Sequence, residues 1–209
     1  MPTTASHTVA FSSSTTASLS ALTPSERREH DRLPNEAQRR DWLAGRSAAK
    51  RAVASRCGVS VEYVQLEPRS SSAPRCMVRA PGKRWAPLPL SISIAHCDGF
   101  AIAAVADAAT RIGVDIERVD AIAAEHGRYF RAPDETSMDA TLVWVLKEAA
   151  WKALGLSLAV PFTAVRLHAT RDGSVHGVSV DGAYTPARAR VMRRRDFVAA
   201  VLEIERDPQ

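Results

Sequence analysis

The sequence predicts an α+β protein built as a pseudo-twofold pair of similar lobes, and three observations point there. Its 209 residues are 45% hydrophobic and 24% charged, the balance of a globular chain long enough for one large core or two packed lobes. A long helix-forming run occurs once in each half, at residues 35–57 and 144–155, and short strand-like runs follow each. The pattern restarts near Thr110, dividing the chain into a lobe at 21–109 and a lobe at 110–209, with the cleft between them as the expected place for an active site.

Residues 1–20 are rich in Ser and Thr and read either as a flexible tail or as a tail with a first strand at 8–12. They lack the positive and apolar regions of a signal peptide, and no apolar run reaches the length of a bilayer, so a cytoplasmic location is expected. Thr23-Pro24-Ser25-Glu26 combines an N-cap, a proline at the first helical position and a glutamate three residues after the cap, the signature of a capping box. The short helix it starts should stop at Pro34. A longer one follows at 35–57, with Gly58 as its C-terminal stop. Arg39, Arg46 and Lys50 share a face of that helix, a basic stripe that is either solvated or kept to hold phosphate.

From Gly58 to Pro89 the chain is interrupted by Pro68, serines 70–72, Pro74, Pro81, Gly82 and Pro87, which marks loops with at most short strands such as 61–66. Lys83 and Arg84 sit there. Ile92 and Ile94 then alternate with Ser91, Ser93 and Ala95, His96-Cys97-Asp98-Gly99 makes a turn, and 100–106 returns as a buried strand. The third strand, 112–117, puts Ile112, Val114 and Ile116 on a core face and Gly113, Asp115 and Glu117 on the other. An antiparallel meander of these three would bring His96 to the same sheet edge as Asp115 and Glu117. A helical stretch to Phe130, a turn at Pro133-Asp134 and the second long helix follow. Strands are expected at 164–170, 175–180, 185–191 and 197–205, joined by Asp172-Gly173, Asp181-Gly182 and a polar turn at 193–196.

The chemistry concentrates on two of these elements. On the second long helix Leu142, Leu146, Ala149, Ala153 and Leu156 form the core stripe, and Trp144, Glu148, Trp151, Lys152 and Gly155 lie opposite. A face with two tryptophans should line a cleft or meet the second lobe, and Glu148 and Lys152 are either a surface ion pair or part of a site. Asp115 and Glu117, about 7 Å apart along a strand, repel one another unless a cation neutralises them. Mg²⁺ suits such oxygen ligands, and no HxxxH motif or Cys/His cluster argues for zinc; Cys57, Cys76 and Cys97 form no CxxC pair. With Glu148 as a third carboxylate and Lys152 a turn away, the set fits magnesium-assisted phosphoryl transfer. The net charge of +5 favours an anionic partner.

Gly113-Val114-Asp115-Ile116-Glu117, followed by Trp144-x-x-Lys147-Glu148-Ala149-x-x-Lys152-Ala153-x-Gly155, resembles the signature of the 4′-phosphopantetheinyl transferases. Gly45-Arg46-x-x-Ala49-Lys50, Gly82-Lys83 and the strand end from Ser93 to His96 match the longer, surfactin-type branch in the same order, so the resemblance covers about residues 20–205. It implies a cytoplasmic monomer of two α+β halves that binds coenzyme A and transfers its phosphopantetheine arm to a serine of an acyl, peptidyl or aryl carrier protein, releasing adenosine 3′,5′-bisphosphate. It also implies roles for residues. Asp115, Glu117 and Glu148 would hold Mg²⁺ on the pyrophosphate, and Glu148, directly or through water, would take the serine proton. Lys152 would bind the α-phosphate region and stabilise the leaving oxygen. Arg46 and His96 would hold the 3′-phosphate and Lys83 the nucleotide end, with Arg27, Arg28 and Lys50 supported by position and charge alone. The chain departs from the family at Ala95-His96-Cys97, where Ser-His-Ser is usual.

A Mg²⁺-dependent nuclease or nucleotidyl transferase is the alternative, with Arg188, Arg190, Arg193, Arg194 and Arg195 as its nucleic-acid face. That cluster carries no interleaved aromatics for base stacking, which favours the reading without a nucleic-acid partner. The chain also carries no membrane-binding expectation.

Overall fold

A computed structural model of the chain describes residues 7–69, 73–136, 138–157, 159–170 and 174–205; serines 70–72 and the Asp172-Gly173 turn lie outside the described residues. The chain divides into two compact units, residues 1–108 and 109–209. Among the described residues the strands form four antiparallel sheets of three strands each, two per unit. The architecture is α+β.

The first unit begins with strand β1 (His7–Ser13), which pairs along its whole length with β6 (Phe100–Asp107). Helix α1 (Pro24–Asp31) starts from the expected capping box: Glu26 N donates to Thr23 Oγ1 at 3.3 Å, and Thr23 N donates to Glu26 Oε2 at 2.9 Å. Helix α2 (Glu36–Cys57) is capped by Asn35 and ends at Gly58, whose φ of 65° suits the left-handed stop. Small residues dominate its buried face. Ala44, Ala48, Ala49 and Ala52 let it lie against Ala101, Ala103 and Val105 of β6, forming this unit's core. The other partner of β6 is β5 (Leu90–Cys97), and a second sheet consists of β2 (Val64–Glu67), β3 (Arg75–Val78) and β4 (Ala86–Pro87).

The second unit also runs from a first strand through a long helix to five further strands, with no α-helical counterpart of α1 among its described residues. Strand β7 (Thr110–Arg118) pairs with β12 (Phe197–Glu205), which pairs with β11 (Arg188–Arg194). Helix α3 (Ala140–Leu154) is capped by Asp139 and stopped by Gly155, and β8 (Val165–Ala169), β9 (Val175–Val180) and β10 (Ala183–Pro186) make the second sheet. The core sits between α3 and β12, with Val198, Ala200, Leu202 and Ile204 facing Leu146, Ala149 and Ala153.

Several expectations need correction. There is no three-strand meander: β6 is flanked by β1 and β5, while β7 joins β12 in a different sheet, because the N-terminal strand takes the place beside β6. Sheet geometry therefore gives no reason to set His96 beside Asp115 and Glu117. His96 belongs to β5 itself, and the tight turn is Asp98-Gly99, both at positive φ (47° and 77°), the form that matches strand twist. The expected strand at 185–191 is two strands, since β10 ends at Pro186 and the chain passes to another sheet at Arg188. On β7 the face bearing Gly113, Asp115 and Glu117 is the one opposite Leu202, Ala200 and Val198, so it is the core face; Ile112, Val114 and Ile116 are buried as well on the reverse. The tryptophans of α3 pack inside their own unit. Trp144 stacks on Phe162 at 4.7 Å and meets Phe130 edge-on, and Trp151 lies 4.5 Å from Phe162 while its Nε1 donates to Leu156 O at 2.7 Å.

Candidate functional site

Helix α3 crosses β7 at Gly113, and the absence of a side chain there sets how deep the helix lies. A Cβ on residue 113 would stand 1.8 Å from Ala149 O and 2.6 Å from Ala153 N, so only glycine allows this contact of helix backbone on strand. The consequence is felt two residues along β7 and one residue back along α3. Lys152 Nζ reaches Asp115 Oδ1 at 2.7 Å, with Asp115 only 6% exposed. Glu148, a turn before Lys152, is half-buried, as is Glu117.

The charges of the other three groups act on Glu148. Burial raises the Glu148 carboxyl above its ordinary value, the Lys152 ammonium counteracts that rise, and the Asp115 and Glu117 carboxylates add to it. The donor set is three carboxylates without a soft ligand, which suits a hard divalent cation. Among the described residues no three carboxylate, imidazole or thiol groups stand gathered as a ready-made metal cage. Lys152 provides the positive charge instead, at Asp115.

The first unit holds a pocket of about 290 Å³ lined by Glu29, Trp42, Gly45, Arg46, Arg69 and His96, with Pro68, Pro74 and Ile94 as its apolar wall. Two of the anticipated coenzyme-binding residues, Arg46 and His96, thus meet in one cavity. The Arg46 guanidinium is 4.7 Å above the Trp42 ring, donates from Nη2 to both oxygens of Glu29 at 2.8 and 2.9 Å, and donates from Nη1 to Leu66 O at 3.2 Å. Gly45 keeps the helix close to β5, since a Cβ would meet Ile94 Cγ2 at 3.2 Å.

The other cations anticipated from sequence are placed differently. Lys50 is 1% exposed and spends its ammonium on Glu26 Oε2 at 3.0 Å and Ala21 O at 2.6 Å. The stripe of Arg39, Arg46 and Lys50 is therefore neither simply solvated nor an open phosphate face: Arg39 donates to Leu33 O and the other two are buried on glutamates. Lys83 stands exposed in a turn and is not among the residues lining the pocket. Arg27 donates to Leu19 O, and Arg28 is exposed. The arginines of β11 and the turn after it are exposed along an edge strand.

Sequence reasoning missed Glu29, Trp42 and Arg69 as pocket residues, and the buried pair Glu135–Lys147. Arg69 lies in a Pro-rich loop whose pattern gives no signal. For Glu135 a signal existed: Ala132-Pro133-Asp134-Glu135 repeats the spacing of Thr23-Pro24-Ser25-Glu26.

A model of the 4′-phosphopantetheinyl transferase superfamily matches residues 111–202, the stretch that contains β7, α3 and the three carboxylates. No curated protein matches the chain. No helix among the described residues is long and apolar enough to cross a membrane.

Proposed function

We propose that this protein transfers the 4′-phosphopantetheine group of coenzyme A to a serine of an acyl, peptidyl or aryl carrier protein and releases adenosine 3′,5′-bisphosphate, as an enzyme of the surfactin-type branch acting as a cytoplasmic monomer. The observation that carries the reading is the seating of α3 on Gly113, which couples Glu148 and Lys152 to Asp115 and Glu117 within the region matched by the superfamily.

Asp115, Glu117 and Glu148 would hold Mg²⁺, which when bound neutralises pyrophosphate oxygens and fixes their orientation. Glu148 accepts the proton of the carrier serine, directly or through a water. The serine Oγ then attacks the phosphorus that bears the pantetheine arm. A new P–O bond forms as the bond to the bridging oxygen breaks, and the bisphosphate departs with the electron pair. Lys152 leaves Asp115 for that bridging oxygen and stabilises its negative charge. Arg46 and His96 bind the 3′-phosphate and Trp42 offers an aromatic wall beside it. Lys83, outside that pocket, is assigned to the nucleotide end by the family resemblance alone.

Incubation with coenzyme A, Mg²⁺ and a panel of apo carrier proteins should add the mass of phosphopantetheine to at least one carrier. Transfer to none of them overturns the proposal. Glu148→Gln should abolish turnover while coenzyme A binding persists, and wild-type rates in that variant would refute its role.

A further inference from the structure

Among the described residues each unit holds a buried Glu–Lys pair, on the same frame. In the second unit Lys147 is wholly buried; its Nζ binds Glu135 Oε2 at 2.8 Å and donates to Phe130 O at 2.6 Å. Glu135 Oε2 also accepts from Ala132 N at 2.7 Å and Oε1 from Leu167 N at 2.9 Å. In the first unit Lys50 binds Glu26 and Ala21 O, while Glu26 accepts from Thr23 N at 2.9 Å and from Leu66 N at 3.0 Å. Each lysine stands eight residues before the glycine that ends its helix, Lys50 before Gly58 and Lys147 before Gly155. Each glutamate is the second residue after a proline, Pro24 or Pro133.

Stability alone is a poor reason to build this twice, because a buried ion pair is often no better than apolar residues of the same volume. Its geometry supplies another. Helix α2 buries a face made largely of alanine, Ala44, Ala48, Ala49 and Ala52, and α3 lies on β7 through Ala149 and Ala153, with Val143, Val145 and Leu146 buried on its earlier turns. Alanine contacts of this kind have shallow ridges and resist sliding or rotation weakly. The pair adds directional bonds that tie each helix to the segment before it, α1 for α2 and the turn at residues 133–135 for α3, and to the strand after it. In the second unit the tied residue immediately precedes Glu148. In the first, Lys50 is one turn beyond Arg46, and Glu26 is one turn before Glu29.

We propose that these pairs are positioning devices: Glu135–Lys147 sets the rotation and depth of α3 so that Glu148 and Lys152 face β7, and Glu26–Lys50 sets Arg46 and Glu29 at the pocket. Neither pair touches substrate. The inference rests on the transferase reading for its kinetic consequences, and on binding for a consequence independent of turnover.

The test compares two near-isosteric double variants, Glu135→Gln/Lys147→Met and Glu26→Gln/Lys50→Met, well below their melting temperatures. The first should lose kcat on the order of tenfold to 100-fold with the KM for coenzyme A nearly unchanged. The second should raise that KM on the order of tenfold and keep kcat. Calorimetry gives the second readout: Mg²⁺ affinity falls only in the first, coenzyme A affinity only in the second. Equal losses in both variants, or altered melting with unaltered kinetics and binding, overturns the proposal. Should a double variant not fold, Glu135→Asp and Glu26→Asp, which keep the charge and shorten the reach, carry the same comparison. If the wild type transfers nothing, the transferase reading fails by itself, and the calorimetric split still decides the positioning role.

Discussion

Lys152 and Asp115 meet at 2.7 Å, although one stands near the end of a helix and the other in the middle of a strand, because residue 113 has no side chain to hold the two elements apart. Gly113→Ala therefore tests the site through its scaffold. The added methyl would collide with the Ala149 carbonyl, a backbone atom that moves only if α3 moves. Destabilisation of about 3 kcal/mol and loss of transfer are expected. Gly155→Ala is the comparison: nothing lies within 4 Å of its Cβ position, so it meets only the strain of a φ of 67°, about 1 kcal/mol, with activity kept. Chemical denaturation of both variants decides; equal effects would show that the close approach at Gly113 is unimportant.

Removing the ammonium tests whether the carboxylates are coupled as a cation site. Lys152→Met takes the ammonium from Asp115, which is nine-tenths buried, and from the Glu148 carboxyl that Asp115 and Glu117 also act on. Because the lysine is about one-third exposed, the metal-free protein should lose on the order of 1–2 kcal/mol rather than the larger cost of breaking a sealed pair. Mg²⁺ should then raise the melting temperature of the variant by more than it raises the wild type's. A variant no more responsive to Mg²⁺ than wild type would separate Lys152 from the metal site.

The sequence made the element boundaries around this site readable because caps and stops are local chemistry. Thr23 and Gly58 do in the structure what their neighbours in the chain imply, while the caps at Asn35 and Asp139 and the stop at Gly155 come from the same chemistry unread. What it could not convey was partnership. Nothing in 112–117 says that its neighbour is residue 197–205 rather than 100–107, so alternation on β7 suggested one core face when both are buried. Lysines gave the same difficulty. Lys50, Lys147 and Lys152 all sit on helices, yet the first two are sealed against glutamates from α1 and from the turn at residues 133–135, and the third reaches the acidic site. The carboxylates were legible because an i,i+2 pair on a strand is costly without a purpose. The Trp42, Glu29 and Arg69 side of the pocket was not, since its residues come from α1, from α2 and from the stretch after β2, which are far apart in the chain.

Glu148 gives the metal-free protein a specific pH response. Its carboxyl is held above 4.5 in the folded state, chiefly by burial, so the native protein binds that proton more tightly than the unfolded chain does. The associated stability is present below the unfolded value and is lost as pH rises through the folded one. Glu148→Gln is neutral throughout and escapes the loss. Without divalent cations the variant should be the more stable protein at about pH 7, and the two should converge below about pH 4. Thermal unfolding across that range checks the sign. A wild type that gains on the variant as pH rises would mean that the carboxylate is stabilised by folding, not strained by it.

Arg46 and Glu29 yield the sharpest expectation about ligand recognition. The guanidinium is already bonded to both oxygens of a carboxylate, so an entering phosphate must compete with Glu29 for the same fork. Arg46→Gln should raise the KM for coenzyme A on the order of tenfold while changing that for 3′-dephospho-coenzyme A much less. Glu29→Gln works in the opposite direction. Leu66 O and the Trp42 ring continue to hold the guanidinium in place, so removing the carboxylate's charge relieves repulsion of the phosphate more than it loosens the arginine. The KM for coenzyme A should fall severalfold and its preference over the dephospho form should widen. Steady-state kinetics with the two coenzymes settles it: a rise in KM for both in Glu29→Gln would assign the carboxylate to holding Arg46 rather than to competing for it.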